Sequence, residues 1–390
     1  MKHLPKYIVI GILVLLCLVY LFSRCSIFAP QETAQPTEKP QKLTVEASDK
    51  VKGILEDMTL EEKLYQMFYV TPEQLTETED VILAGETTKK AIDDKNVGGI
   101  VYAEKNLQDR TQTKELLKNT QSFAKIPMFL GTTEEGGQKF AISKNSQMSL
   151  GDIEPMGQVS DADSAYAIGE KIGEALKELG FNMNFAPVAD VMAEGKFNMI
   201  GDRSFGYDKD DVSRKVEWII KGLKKGGVAV TLKHFPGAGA TEGDTKMDYP
   251  VVTRSLSEIK SIDLAPFKAG IDGGADFVMI GHIKVPEIDA DNPATFSEAV
   301  VTGLLREEMG YGGVIITSPL NEGAVLNSHT SADAAVEAVL AGVDMLYMPN
   351  SLEIAHEALF TAVKSGKISE ERINESVIRI LNCKEKLGIL

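Results

Sequence analysis

The sequence predicts an α/β protein: a (β/α)8 TIM barrel preceded by one N-terminal transmembrane helix. Three observations carry this. Eight short apolar, β-rich runs alternate with longer stretches of helical spacing, over about 300 residues, which suits a barrel better than an open doubly wound sheet. Many of the short runs are apolar on both faces, as parallel strands covered by helices have to be. A long apolar segment also stands near the N-terminus, directly behind basic residues.

Lys2, His3 and Lys6 precede an apolar run over 7–22, followed by Ser23 and Arg24. The run exceeds an ordinary signal-peptide core and approaches the shortest helix that crosses a bilayer, roughly 17 residues. A cleaved signal peptide and an uncleaved anchor compete. Phe22 and Arg24 leave no small-x-small cleavage site, and Arg24 stands before Cys25 where a lipid-attachment box needs a small residue. The anchor is favoured: residues 1–24 cross the membrane, the basic flank stays in the cytoplasm, and the rest faces outward as a single-pass protein. Residues 25–47 form the expected flexible linker, rich in Pro, Thr, Gln and Glu, and 29–41 lack any large apolar side chain to pack a core. The barrel is expected over 48–390.

Within it the candidate strands are 65–70, 98–102, 127–131, 181–187, 228–234, 277–281, 313–317 and 344–348. Amphipathic segments at 165–179, 211–224, 257–272, 297–309 and 331–340 supply helices between them. Thr59-Leu-Glu-Glu62 is a capping box, Ser257 is placed at the start of the 257–272 helix, and Gly273-Gly274 ends it. No Gly-x-Gly-x-x-Gly opens a helix after the first strand, so a dinucleotide site lacks support.

A net charge of -16 argues against nucleic acid or an anionic lipid surface as the main partner. Solubility accounts for that charge without naming a substrate. Three cysteines, Cys17, Cys25 and Cys383, make neither a disulfide framework nor a Cys-x-x-Cys pair. No metal-ligand spacing appears, and no cofactor is expected.

Chemistry in such a barrel sits at the C-terminal ends of the strands. Those ends carry Thr132, Thr133, Glu134 and Glu135, then Asp190, then Lys233 and His234, then His282, and finally Thr317 and Ser318. Two of the five histidines fall there, which favours a polar pocket, although a lone strand-end His is as often a structural group.

Several linked motifs then point one way. Met58-Thr-Leu-Glu-Glu-Lys63, Asn184-Phe-Ala-Pro-Val-Ala-Asp190, Ile200-Gly-Asp-Arg-Ser-Phe-Gly206, Lys233-His-Phe-Pro-Gly237, Asp263-Leu-Ala-Pro-Phe267, Met279-Ile-Gly-His282 and Gly312-Gly-Val-Ile-Ile-Thr317 follow in register. From about residue 50 onward the chain resembles family 3 glycoside hydrolases, in particular the single-domain bacterial β-N-acetylglucosaminidases (β-N-acetylhexosaminidases) that act on cell-wall fragments. The resemblance implies a retaining O-glycosyl hydrolase needing no metal, with a carboxylate nucleophile and a second group that protonates the leaving oxygen.

The chain departs from that pattern where the resemblance places those groups. The nucleophile position, an Asp after the Thr that ends strand seven, holds Ser318, followed by Pro319. The acid/base position, the His of an Asp-Ser-His triplet, holds Lys246 in Asp244-Thr245-Lys246, with Asp244 retained as the dyad partner. A free ammonium titrates near pH 10.4, too high for efficient proton exchange near neutrality, and an adjacent Asp raises it further. A sugar-gripping Asp is replaced by Thr133 in Thr133-Glu-Glu-Gly-Gly137, and Ala141 stands where an Arg is usual. Lys233, His234 and Arg203 are retained, and with Thr133, Glu135 and His282 they make the expected substrate-binding set.

Three readings follow. The first is a pseudoenzyme that binds a GlcNAc-containing glycan or cell-wall fragment, or a protein partner, outside the membrane. The second is a working β-N-acetylglucosaminidase using other carboxylates, from Glu134, Glu135, Asp190 and Glu322. The third is a scaffold with no carbohydrate role.

Overall fold

In the computed structural model the described residues are 45–390, apart from 138–139, 149, 152, 196–199 and 244. The expected anchor (1–24) and nearly all of the linker (25–47) lie outside them. No helix among the described residues is long and apolar enough to cross a membrane.

Eight parallel strands form one sheet in the order β7-β6-β5-β4-β3-β2-β1-β8. They are β1 (Phe68–Val70), β2 (Gly99–Val101), β3 (Phe129–Thr132), β4 (Met183–Asn184), β5 (Ala229–Phe235), β6 (Phe277–Ile280), β7 (Val314–Thr317) and β8 (Leu346–Tyr347). β8 pairs with β1 through Phe68↔Leu346 and Tyr69↔Tyr347. A bridge between Ile316 and Met345 then brings the two ends of the sheet together. The result is a nearly closed TIM-type barrel.

Each expected strand window overlaps an observed strand, most of them shorter than the window, while β3 and β5 run one residue past theirs. The fourth keeps only Met183–Asn184 of 181–187, because Pro187 has no N–H to give a ladder. The chain re-engages at once through a bridge from Val188 to Lys233, which ties the end of β4 to β5.

The capping box at Thr59 forms as expected, with Thr59 and Glu62 each accepting the other's backbone N–H, at 3.2 and 2.9 Å. The helix expected over 257–272 starts at Leu256, because Ser255 and not Ser257 makes the reciprocal cap, with Glu258. Residues Ile259–Asp263 wind as wide π turns before Leu264–Asp272. Pro266, which cannot donate to the carbonyl four residues back, supplies a reason.

Inside the barrel Tyr69, Phe185 and Tyr347 pack ring against ring. Centroids lie 5.1 Å apart for Tyr69–Phe185, 4.7 Å for Phe185–Tyr347 and 5.8 Å for Tyr69–Tyr347. Gly131 on β3 leaves the space that Tyr69 uses: a Cβ there would stand 2.3 Å from the phenol oxygen. At the N-terminal ends of the strands the fully buried Lys384 donates to Gln66 Oε1 at 2.6 Å and lies 5.2 Å from the Phe129 ring centroid.

Candidate functional site

The C-terminal ends of the strands surround a cavity of about 200 Å³. Its floor is apolar, formed by Phe185 beyond β4 and Tyr347 of β8, with Met279 of β6 on the wall. Arg203, Lys233, His234 and the hydroxyl residues Thr133 and Ser318 stand on the walls, and Ala238, Thr241, Gly243, Thr245 and Pro250, all after β5, add to the lining.

Lys233 lies on β5 and Arg203 on the turn Gly201–Arg203, and both meet Glu135, which follows β3. Arg203 grips Glu135 with two bonds, Nε and one terminal nitrogen each at 2.7 Å, and the Lys233 ammonium stands 2.5 Å from the same carboxylate. Lys233 also donates to the Phe185 carbonyl. Glu135 is only 3% exposed. Burial alone would raise its carboxyl, but Lys233 and then Arg203 outweigh that and hold it at about 2. Lys233 is pushed down, chiefly by burial, with Glu135 opposing and Arg203 adding to the shift. Glu135 thus stands behind the two cations and fixes their heads, and it is not among the residues that line the cavity.

A second pair sits beside the first. Asp190 Oδ2 lies 2.8 Å from His234 Nδ1, and Oδ1 accepts the backbone N–H groups of Ala238 at 2.7 Å and His234 at 3.3 Å. Fully buried Asp190 therefore sets both the imidazole's orientation and the first turn of the segment after β5.

His282 lines the cavity with its ring, yet both nitrogens are used inside the protein. Nε2 donates to the Pro319 carbonyl at 3.0 Å, and Nδ1 faces Thr295 Oγ1 at 2.8 Å. Burial pushes its pKa down to about 4, so near neutrality it is an uncharged strut between β6 and the loop after β7. The Ser318 backbone N–H bonds Ile280 at 2.9 Å, which holds this buried residue at the cavity wall.

The position expected for the acid/base group is arranged differently. The Lys246 side chain is exposed and does not line the cavity, whereas its neighbour Thr245 does. Asp244 lies outside the described residues. Of the four carboxylates considered as recruits, Glu134 is fully buried and accepts the N–H groups of Gly136 at 3.3 Å and Ser143 at 3.0 Å. Burial nevertheless lifts it to about 7. Glu135 and Asp190 are committed as described. Glu322 is the one carboxylate among the described residues that line the cavity.

Sequence reasoning missed Phe185 and Tyr347, whose apolar rings carry no chemical signature, though each lies at or just beyond a strand end. It also missed Thr241 and Thr245, which enter the wall through the path of a loop. Among the described residues no group of three or more His, Cys, Asp or Glu is placed to hold a metal.

A site built of cations, an oriented imidazole and hydroxyls over an aromatic floor suits the polar rim and apolar face of a sugar ring. The family model for the glycosyl hydrolase family 3 N terminal domain matches residues 59–383. Beta-hexosaminidase A of Pseudoalteromonas piscicida is 31% identical over 325 residues, 75% of this chain and 54% of that protein, so this chain spans about half its length. A beta-hexosaminidase of Nitrosomonas eutropha is 29% identical over 306 residues, 75% of this chain and 86% of that one. Among solved structures, a family 3 beta-N-acetylglucosaminidase from Paenibacillus sp. gives a TM-score of 0.79 at 34% identity, covering 85% of this chain and 63% of that one. A beta-N-acetylhexosaminidase from Beutenbergia cavernae gives 0.75 at 27% identity, covering 84% and 99%. Ordered motifs, an eight-stranded parallel barrel and a match across nearly all of the barrel agree, and the chain belongs to glycosyl hydrolase family 3.

Proposed function

We propose that this barrel binds a GlcNAc-containing glycan, such as a cell-wall fragment, outside the membrane and does not hydrolyse it. The observation that carries the reading is the carboxylate inventory of the cavity: among its described lining residues only Glu322 is acidic. Retention needs two catalytic groups, typically carboxyls about 5–5.5 Å apart, and inversion needs a wider pair. Ser318 at the nucleophile position brings no charge to an oxocarbenium-like transition state. Lys246 at the acid/base position is exposed and is not among the residues that line the cavity. The binding half of the site is furnished: Lys233 and Arg203 are held by Glu135, and His234 by Asp190. That the relatives are beta-hexosaminidases supports the choice of sugar. The outward location rests on the apolar run over 7–22 and its basic flank.

The test pairs turnover with binding. A chromogenic β-N-acetylglucosaminide is incubated with the wild type and with Ser318→Asp/Lys246→His across a wide pH range, and N-acetylglucosamine binding is followed by calorimetry. The expected outcome is measurable binding without turnover by the wild type. Wild-type turnover at an ordinary enzymatic rate, about 1 s⁻¹ or more, would refute the reading and direct attention to Glu322.

A further inference from the structure

The segment of residues 237–243 and 245–250, five of which line the cavity, is anchored on three sides. On the β4 side the Ala193 N–H bonds the Gly239 carbonyl at 3.1 Å, and on the β6 side the Lys284 N–H bonds the Pro250 carbonyl at 2.8 Å. On the β7 side its apex rests on the short helix Gly323–Leu326. The Ala324 N–H donates to the Thr245 carbonyl at 2.8 Å, and Asn327 Nδ2 donates to the Met247 carbonyl at 2.9 Å. Between these bonds the Lys246 carbonyl lies directly against Gly323. A Cβ on Gly323 would stand 2.0 Å from that oxygen and 2.8 Å from its carbon, both backbone atoms that cannot swing aside.

Nothing else explains a glycine here. Gly323 does not lie in the left-handed region, so its backbone suits any residue. In a helical position alanine is the better choice. Glycine is therefore the residue that lets the segment after β5 and the short helix after β7 touch backbone to backbone. The consequence reaches the cavity, because Thr241, Thr245 and Pro250 on this segment form part of its wall.

We propose that Gly323 is a positioning residue: its bare Cα is the seat on which the segment after β5 closes, and that seat holds Thr245 and its neighbours against the bound ligand. The proposal rests on reading the cavity as the glycan site. It assigns Gly323 no contact with the sugar.

The experiment uses the full chain as wild type, Gly323→Ala and Asn327→Ala. Trypsin cleavage after exposed Lys246 is timed by mass spectrometry of the peptide that begins at Met247, beside the global unfolding midpoint and calorimetric binding of N-acetylglucosamine. In Gly323→Ala, cleavage should accelerate by about tenfold or more while the midpoint is unchanged or raised, since cleavage follows the population of the open segment. N-acetylglucosamine affinity should fall by about tenfold with it. Asn327→Ala, which removes one bond and adds no clash, should accelerate cleavage by about threefold. An unchanged cleavage rate in Gly323→Ala overturns the proposal, and if that variant does not fold, an unchanged rate in Asn327→Ala does so instead. If neither wild type nor variant binds the sugar, the glycan reading falls, while the cleavage rates still decide whether the seat exists.

Discussion

Replacing Glu135 by Gln tests the electrostatic keystone of the cavity. In the folded chain the carboxyl is held at about 2, against an ordinary 4.5. At 1.36 kcal/mol per pH unit, that difference corresponds to roughly 3 kcal/mol of stability at neutral pH. The sign follows from the depressed value: the contribution is fully present above pH 4.5 and is lost as pH falls through that value toward about 2. Gln keeps the shape and removes the charge, leaving Lys233 and Arg203 buried together without a counter-ion. Breaking a buried pair from one side typically destabilises by about 3–5 kcal/mol, so the upper part of that range applies. For a unit of this length the melting temperature should drop by roughly 4–7 °C. Urea unfolding of wild type and Glu135→Gln between pH 2.5 and 7 is the assay. The two curves should be far apart at pH 7 and converge below pH 4.5. A variant within about 1 kcal/mol of wild type at pH 7, or a gap that does not narrow in acid, would refute the reasoning.

Two further outcomes are expected. Lys384 is a fully buried amine pushed down to about 7 from 10.5 by burial, so its cost is complete below about pH 7 and is relieved as pH rises toward 10.5. Wild-type stability should therefore climb by a few kcal/mol, on the order of 5 at most, between pH 7 and 10.5, and Lys384→Met should remove that climb in urea unfolding. Asp190→Asn presents an amide N–H₂ or a lone acceptor where His234 and two backbone N–H groups now share a carboxylate. It should cost about 1–3 kcal/mol in unfolding free energy, change the His234 tautomer seen by nitrogen NMR, and weaken N-acetylglucosamine binding.

Much of the architecture was legible because burial on both faces leaves an apolar signature in each parallel strand. Where the reading was off, a local competitor decided. Pro187 cut the fourth strand short, and Ser255, with its partner Glu258 three residues on, captured the cap assigned to Ser257. The cavity was legible where a polar residue ends a strand, as at Lys233, His234 and Ser318. It was not legible at Tyr347, whose ring forms the floor, nor at Glu135, placed in the binding set but standing behind it. Of its two partners one follows β4 and the other lies on β5, about 70 to 100 residues on in the chain, and they leave no pattern near it in sequence. The contact of the Lys246 carbonyl with Gly323 was hidden for a similar reason, since it joins segments far apart in sequence.

The aromatic plug of Tyr69, Phe185 and Tyr347 has a kinetic meaning. With the lumen filled below by these rings, a ligand in the cavity leaves at the C-terminal end of the barrel, where it entered. Two ligands cannot queue through such a chamber; the second waits outside until the first has gone. If the cavity is the glycan site proposed above, exchange is one for one, and dwell time sets how long the cavity stays occupied.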